Sequence, residues 1–153
     1  MKLLLDTTYF LPVIGISVKN ILWNTIIELI KGGYQVLISE ITFFELSAKG
    51  AKYIVAGTLT PERVSKGMRA LLYDDRIEKI PIYDTSILLT AFKLRMILND
   101  FIDCLILSSA INRAEVLVTE DKDILEISNK RSFQNIIQIS NPKFKIKKLK
   151  NII

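Results

Sequence analysis

The sequence predicts an α/β fold: a three-layer α/β/α domain built on a central, mostly parallel sheet of about five strands. Three observations carry that expectation. Short apolar runs such as Leu3-Leu4-Leu5, Val36-Leu37-Ile38 and Val116-Leu117-Val118 are separated by longer stretches with the three-and-four spacing of helices. The connection between the first two runs has the length of a right-handed crossover between parallel strands. Carboxylates stand at the ends of these runs, Asp6 after the first and Glu120, Asp121 and Asp123 after the last. In open α/β sheets, ligands sit in the crevice outside the carboxyl ends of the strands.

In chain order, Lys2–Leu5 reads as the first strand, delivering Asp6, Thr7 and Thr8 at its C-terminal end. Tyr9–Ile14 is apolar, and Val18–Ile30 has amphipathic helical spacing, stopped by Lys31-Gly32-Gly33. Tyr34–Ile38 is the second strand. Ser39 then caps a helix from Glu40 to about Ala48, with Ile41, Phe44 and Ala48 on its apolar face and Glu45 at that face's border. Two more helical pieces fill 50–73, broken at Gly57 and restarted by Thr60-Pro61-Glu62. Ile77–Ile82 carries Pro81 and suits an edge strand. Asp84-Thr85-Ser86 caps a helix from Ile87 to Leu98, whose stripe is Leu88, Ala91, Phe92, Arg95 and Met96. Asp103 opens an apolar helix through Ala110, Val116–Thr119 is a strand, and Ile124–Asn129 is a short helix. Ile136–Ile139 reads as the final strand.

The chain of 153 residues, half of them apolar, is expected to form one domain over 1–153, with no linker beyond Asn141-Pro142. A single cysteine, Cys104, cannot form an internal disulfide, and the absence of histidine removes the usual zinc sets and histidine-based acid/base chemistry. A reducing cytoplasmic location is expected. Asp6, Pro12 and Gly15 argue against a secretory reading of the apolar start. No apolar stretch approaches the roughly 18 residues of a membrane span. The net charge of +5 resides in the tail 142–153, which holds five lysines and no acid; the body before it is balanced, 16 basic against 16 acidic residues. Phe144, Ile146 and Leu149 roughly alternate with those lysines, so the tail reads as a lysine-protected edge strand, as a phosphate-tracking segment, or as both.

Asp6, Glu45, Asp103 and Asp121 are the candidate site. Taken singly, Asp103 is also an ordinary helix cap and Glu45 an ordinary solvated helix residue. Taken together, two follow strands and two lie near the starts of helices entered from the same sheet edge, so a right-handed layer can bring all four to one crevice. Four carboxylates there would raise one another's pKa values and call for a positive partner. An all-oxygen set favours a hard cation, Mg²⁺ or Mn²⁺, which can deliver a water to phosphorus. Thr7, Thr8 and Thr119 could orient the carboxylates or contact a phosphate.

Asp6-Thr7-Thr8 after an apolar strand, Glu45 in the second helix, Asp103 opening an apolar helix and Thr119-Glu120-Asp121-Lys122-Asp123 after the next strand resemble the PIN-domain nucleases over essentially the whole chain. The stand-alone size is most similar to VapC-like toxins of toxin–antitoxin pairs. The resemblance implies metal-dependent endonucleolytic cleavage of RNA, with Asp6, Glu45, Asp103 and Asp121 forming the acidic pocket and Asp123 a fifth ligand. It makes Thr7 the hydroxyl residue that follows the first acid; Thr8 departs from the Asn often found next. It also implies an antitoxin that blocks the site, and a homodimer. A housekeeping RNA-processing endonuclease, a non-enzymatic PIN-like protein that binds RNA or a partner, and a receiver-like phosphate-handling domain are the competing readings.

Overall fold

The computed structural model describes all residues, 1–153. Its sheet has five strands, all parallel, in the order β3-β2-β1-β4-β5. These are β1 (Lys2–Leu5), β2 (Gln35–Ser39), β3 (Ile77–Ile80), β4 (Val116–Val118) and β5 (Lys145–Lys147). The helices are α1 (Thr25–Lys31), α2 (Glu40–Val55), α3 (Pro61–Leu72), α4 (Thr85–Leu94), α5 (Phe101–Arg113), α6 (Lys122–Ile127) and α7 (Arg131–Ser140). Two 3-10 helices, Thr7–Ile14 and Leu149–Asn151, complete the chain.

Strand alternation divides the core in two. Leu4, Leu37 and Leu117 face α4, α5, α6 and α7, where they meet Ile87, Leu94, Ile106, Ile124 and Phe133. Their neighbours Leu3, Leu5, Val36, Ile38, Val116 and Val118 face the other way, against Phe10, Ile14, Leu29, Leu46 and Val64. Helices on both faces are what allow the central strands to be apolar throughout. The alternation also aims the site: Asp6 and Thr119 fall in phase with Leu4 and Leu117, on the α5 side of the sheet's C-terminal edge.

Several expectations are corrected. Ile136–Ile139 is not a strand but part of α7; Phe133, Ile136 and Ile137 turn to the core at helical spacing, and Ile139 is left 81% exposed. The last strand is instead β5, inside the basic tail and at the sheet edge. The helix expected over Val18–Ile30 is confined to Thr25–Lys31. Before it, Val18 and Ile21 pair across a tight turn whose third residue, Asn20, has a positive φ of 66°. That left-handed backbone suits Asn better than most side chains and is incompatible with a continuous helix.

The stripes assigned to two helices are rotated. In α2 the buried residues are Thr42, Leu46 and Gly50, and Phe44 and Ala48 are exposed. The helix runs on through Gly50 to Val55, because that glycine lets α3 approach: a Cβ there would lie 2.7 Å from a Val64 methyl. In α4, Ile87, Thr90, Ala91 and Leu94 are buried while Phe92 is exposed, as is Met96 in the turn that follows the helix. The helix opened by Asp103 in the sequence reading starts earlier, at Phe101, and Asp100 caps it by accepting from Ile102 and Asp103 N–H.

Candidate metal centre

Asp6 is the residue around which the site closes. It ends β1 in extended conformation (φ −67°, ψ 158°) and is 7% exposed. One carboxylate oxygen accepts from Thr7 N–H at 2.7 Å, and the other accepts from the Thr119 hydroxyl at 2.6 Å. Thr119 is itself fully buried at the end of β4, and its oxygen also accepts from Asp121 N–H at 3.0 Å. Thr119 therefore links the first strand's acid to the turn that carries Asp121. The Asp121 carboxylate caps α6 by accepting from Ile124 N–H.

Glu45 arrives from α2, half-buried, and accepts from the Thr7 hydroxyl at 2.5 Å. Thr7 lies 3.4 Å from the buried Thr42 hydroxyl, one helical turn before Glu45. Two threonines thus restrain the acids: Thr7 holds Asp6 through its backbone and Glu45 through its side chain, and Thr119 holds Asp6 from the opposite side. Asp103 stands on the third residue of α5, with its predecessor Asp100 taking the capping bonds. No hydrogen bond restrains the Asp103 carboxylate; its environment is burial and other acids.

The electrostatics follow. Burial pushes Asp103 up to about 7, helped by the negative charges of Asp100, Asp6, Asp121 and Glu45. Burial also raises Asp6, opposed by the hydrogen bonds from Thr119 and Thr7. Glu45 is raised by burial and lowered by the Thr7 hydroxyl. Lys49, one turn beyond Glu45, is the cation that offsets charge at both Asp6 and Glu45. Neither Lys49 nor Asp100 was singled out from the sequence; the i,i+4 spacing from Glu45 to Lys49 was the available signal.

Asp123 lies beside Asp100 and Asp103 around a cavity of about 230 Å³, with Glu126 and Lys130 on its rim. Glu120 turns away from the acids: its carboxylate accepts from the Tyr9 hydroxyl at 3.0 Å and Leu149 N–H at 3.2 Å. Thr8 lines a second cavity on the other face of the sheet. Asp84 is a cap, accepting from Ser86 N–H and paired with Arg113.

Two features fit a hard cation. The donor set is carboxylate and hydroxyl oxygen, with too little positive charge to balance it. Ser39, buried at the end of β2 on the same edge, has a hydroxyl without any hydrogen-bond partner; it occupies the cap position of α2 but makes no capping bond. No three acidic side chains are gathered closely enough to be a ready-made ligand cluster. That spacing is compatible with Mg²⁺, which takes one or two carboxylates and keeps several waters.

Comparison with known proteins bears on the fold as a whole. Among solved structures, the chain is similar to one in the crystal structure of VapBC2 from Rickettsia felis bound to a DNA fragment from its promoter. The TM-score is 0.61 at 21% identity, over 97% of this chain and 98% of that one. It is also similar to one in VapBC-5, from the VapBC family of toxin–antitoxin systems, of Mycobacterium tuberculosis: TM-score 0.54, 20% identity, 86% and 94% coverage. No curated protein matches the sequence. The sequence model described as PIN domain matches residues 3–130, from the strand that delivers Asp6 to the end of the turn after α6, and the chain therefore belongs to the PIN domain family.

Proposed function

We propose that the protein is a divalent-metal-dependent endoribonuclease that hydrolyses RNA phosphodiester bonds, and that it is the toxin of a toxin–antitoxin pair. The observation that carries this reading is geometric: Asp6, Glu45, Asp103 and Asp121 come to one edge of the sheet, with Asp6 and Glu45 tied into one hydrogen-bond network by Thr7 and Thr119 and all three neighbours near enough to bear on Asp103. Acids so placed call for a cation, and their burial and mutual charge already raise Asp103 to about 7.

Asp6, Asp103 and Asp121 would hold Mg²⁺ or Mn²⁺, with Asp123 a further ligand from the first turn of α6. When bound, such a cation offsets the carboxylate charge, acidifies a water and stabilises charge developing on the scissile phosphate. The chain's own residues do the positioning. Thr119 fixes Asp6 and the turn before Asp121; Thr7 fixes Glu45, which is then placed to take a proton from the attacking water. Lys49 sits beside Asp6 and Glu45 and can pair with a substrate phosphate as the acids are neutralised.

Two partners follow. The likeness to chains of VapBC structures supports an antitoxin partner. The exposed apolar face made by Leu89, Phe92, Met96 and Phe101, with the Phe92 and Phe101 rings stacked at 5.9 Å between centroids, supports a homodimer through α4. No helix is long and apolar enough to cross a membrane.

The test is cleavage of single-stranded RNA by protein freed of any co-purified partner. Wild type cleaves with Mn²⁺ and not with chelator; Asp6→Asn and Asp103→Asn keep the circular-dichroism spectrum and lose the cleavage. Undiminished cleavage by both variants overturns the proposal.

A further inference from the structure

The acids lie on the α5 face of the sheet edge, and on the opposite face the same edge opens into a cavity of about 530 Å³. Thr8, two residues after Asp6, and Glu120, between Thr119 and Asp121, are both in its wall. The rest is contributed by the turn at 18–21 and by the second 3-10 helix. Val18, Ile21 and Leu149 give it an apolar side, and Lys19 and Lys150 stand exposed at its rim.

Local structure fixes the backbone that carries the two exposed lysines. Ile21 N–H donates to Val18 O at 3.2 Å across the turn, and the left-handed Asn20 makes that turn tight, so Lys19 is held at its tip. Lys150 belongs to a segment anchored at three points. Leu149 is buried in the core, Leu149 N–H donates to Glu120, and the Tyr34 hydroxyl donates to Ile152 O at 3.1 Å. Glu120, the one acidic side chain in the wall, is engaged by the Tyr9 hydroxyl and Leu149 N–H, with Lys148 Nζ 3.9 Å away. Its carboxylate is engaged by these donors although the side chain stays 40% exposed, and at the rim two lysines face this one acid.

We infer that this cavity is a nucleotide subsite: the RNA strand passes from the acid crevice over the edge of β1 and β4, and the nucleotide flanking the scissile phosphate seats here. Lys19 and Lys150 contact its backbone phosphates. Val18, Ile21 and Leu149 pack against its sugar or base, and the Thr8 hydroxyl faces the connecting phosphate. The volume lies in the ordinary range for ligand sites, and two residues of the wall, Thr8 and Glu120, directly adjoin Thr7 and Asp121 of the acid site in the chain. This assignment rests on the nuclease reading and adds to it where the substrate runs. It also gives the basic tail a role beyond protecting the edge of β5.

The test compares Asp103→Asn protein, as a non-cleaving parent, with the same protein carrying Lys19→Ala, Lys150→Ala or both. Binding of an end-labelled single-stranded RNA oligonucleotide is followed by fluorescence anisotropy from low to moderate salt. Each lysine removed should flatten the slope of log K against log salt by about 0.7. Lys→Arg at either position should restore the slope, and Lys31→Ala, at the opposite edge of the sheet, should leave it unchanged. In otherwise wild-type enzyme with Mn²⁺, the double variant should raise KM for the same RNA about tenfold at near-constant kcat, the pattern of lost substrate binding. Unchanged slopes and KM, in an enzyme that cleaves RNA, overturn the subsite while sparing the nuclease reading and leave the cavity to a protein partner. An RNA neither bound by the parent nor cut by wild type overturns both.

Discussion

Replacing Asp103 by Asn should make the metal-free protein more stable while destroying its activity. In the folded chain burial, with the charges of Asp100, Asp6, Asp121 and Glu45, raises this carboxyl from 3.8 to about 7. A raised carboxyl pKa means the folded state binds more protons than the unfolded state between those values. Stability therefore falls as pH rises from about 4 to about 7 and stays reduced above that. At 1.36 kcal/mol per unit, the full shift corresponds to about 4 kcal/mol. Asp103 is only half-buried, so solvent screening reduces this to about 2 kcal/mol. For a chain of this size, that is roughly 4–8 °C in Tm. Thermal melts in chelator should show wild type more stable at pH 5.5 than at pH 8. The Asp103→Asn protein should melt higher than wild type at pH 8, with that part of the pH dependence removed. Mn²⁺ should raise the wild-type Tm at pH 8 and leave the variant's unmoved. A variant that melts lower than wild type at pH 8, or keeps the full pH dependence, refutes the electrostatic argument.

Other perturbations test other joints of the structure. Thr119→Val removes a donor from Asp6 and strands a buried carboxylate oxygen, costing about 1–3 kcal/mol in chemical denaturation at neutral pH and weakening Mn²⁺ binding in calorimetry. Gly67→Ala puts a Cβ 2.4 Å from Val13 O, where α3 crosses the first 3-10 helix; the backbone must move, and a loss of about 1–3 kcal/mol is expected in the same assay. Phe92→Glu with Met96→Glu, at exposed positions on α4 and the turn after it, should leave Tm within about 2 °C and convert the proposed dimer to monomer in analytical ultracentrifugation.

What was legible in the sequence was the sheet and the acids at its ends. β1, β2 and β4 are short apolar runs bounded by turn chemistry, and their carboxylates belong to the strand ends whichever way the helices roll. Helix rotation was not legible. Phe44, Phe92 and Met96 look like core residues on hydrophobicity alone, yet Thr42, Thr90 and Gly50 are the buried ones, and at Gly50 α3 comes too close for any side chain. The run Ile136-Ile137-Gln138-Ile139 has β-branched composition, but Phe133 three residues earlier completes a helical face, and that longer-range spacing decided α7.

At the site, the order and contexts of Asp6, Glu45, Asp103 and Asp121 pointed to one edge of the sheet; there the other three bear on the charge of Asp103, though no three of them gather into a ready-made ligand cluster. The identity of the cap was not legible: Asp100, Asp103 and Asn99 are close in sequence and chemically able to cap, and only the geometry of α5 shows Asp100 doing so. That exchange matters, because the capping carboxylate spends an oxygen on backbone donors while Asp103 is left free to face the other acids. Glu120 was equally hidden. It sits inside the acidic run 120–123, and the tail that turns its carboxylate away from the acids lies nearly thirty residues further on.

The central claim is that these acids form a hard-cation site that cuts RNA. The most direct measurement is Mn²⁺ titration by calorimetry on partner-free wild-type and Asp103→Asn protein, paired with end-mapped cleavage of single-stranded RNA from the same preparations. Saturable Mn²⁺ binding with proton release at pH 7 and metal-dependent cuts in wild type, both lost in the variant, are the predicted results. RNA cleavage that persists in chelator, or Mn²⁺ binding unaffected by loss of the Asp103 carboxylate, would contradict the account.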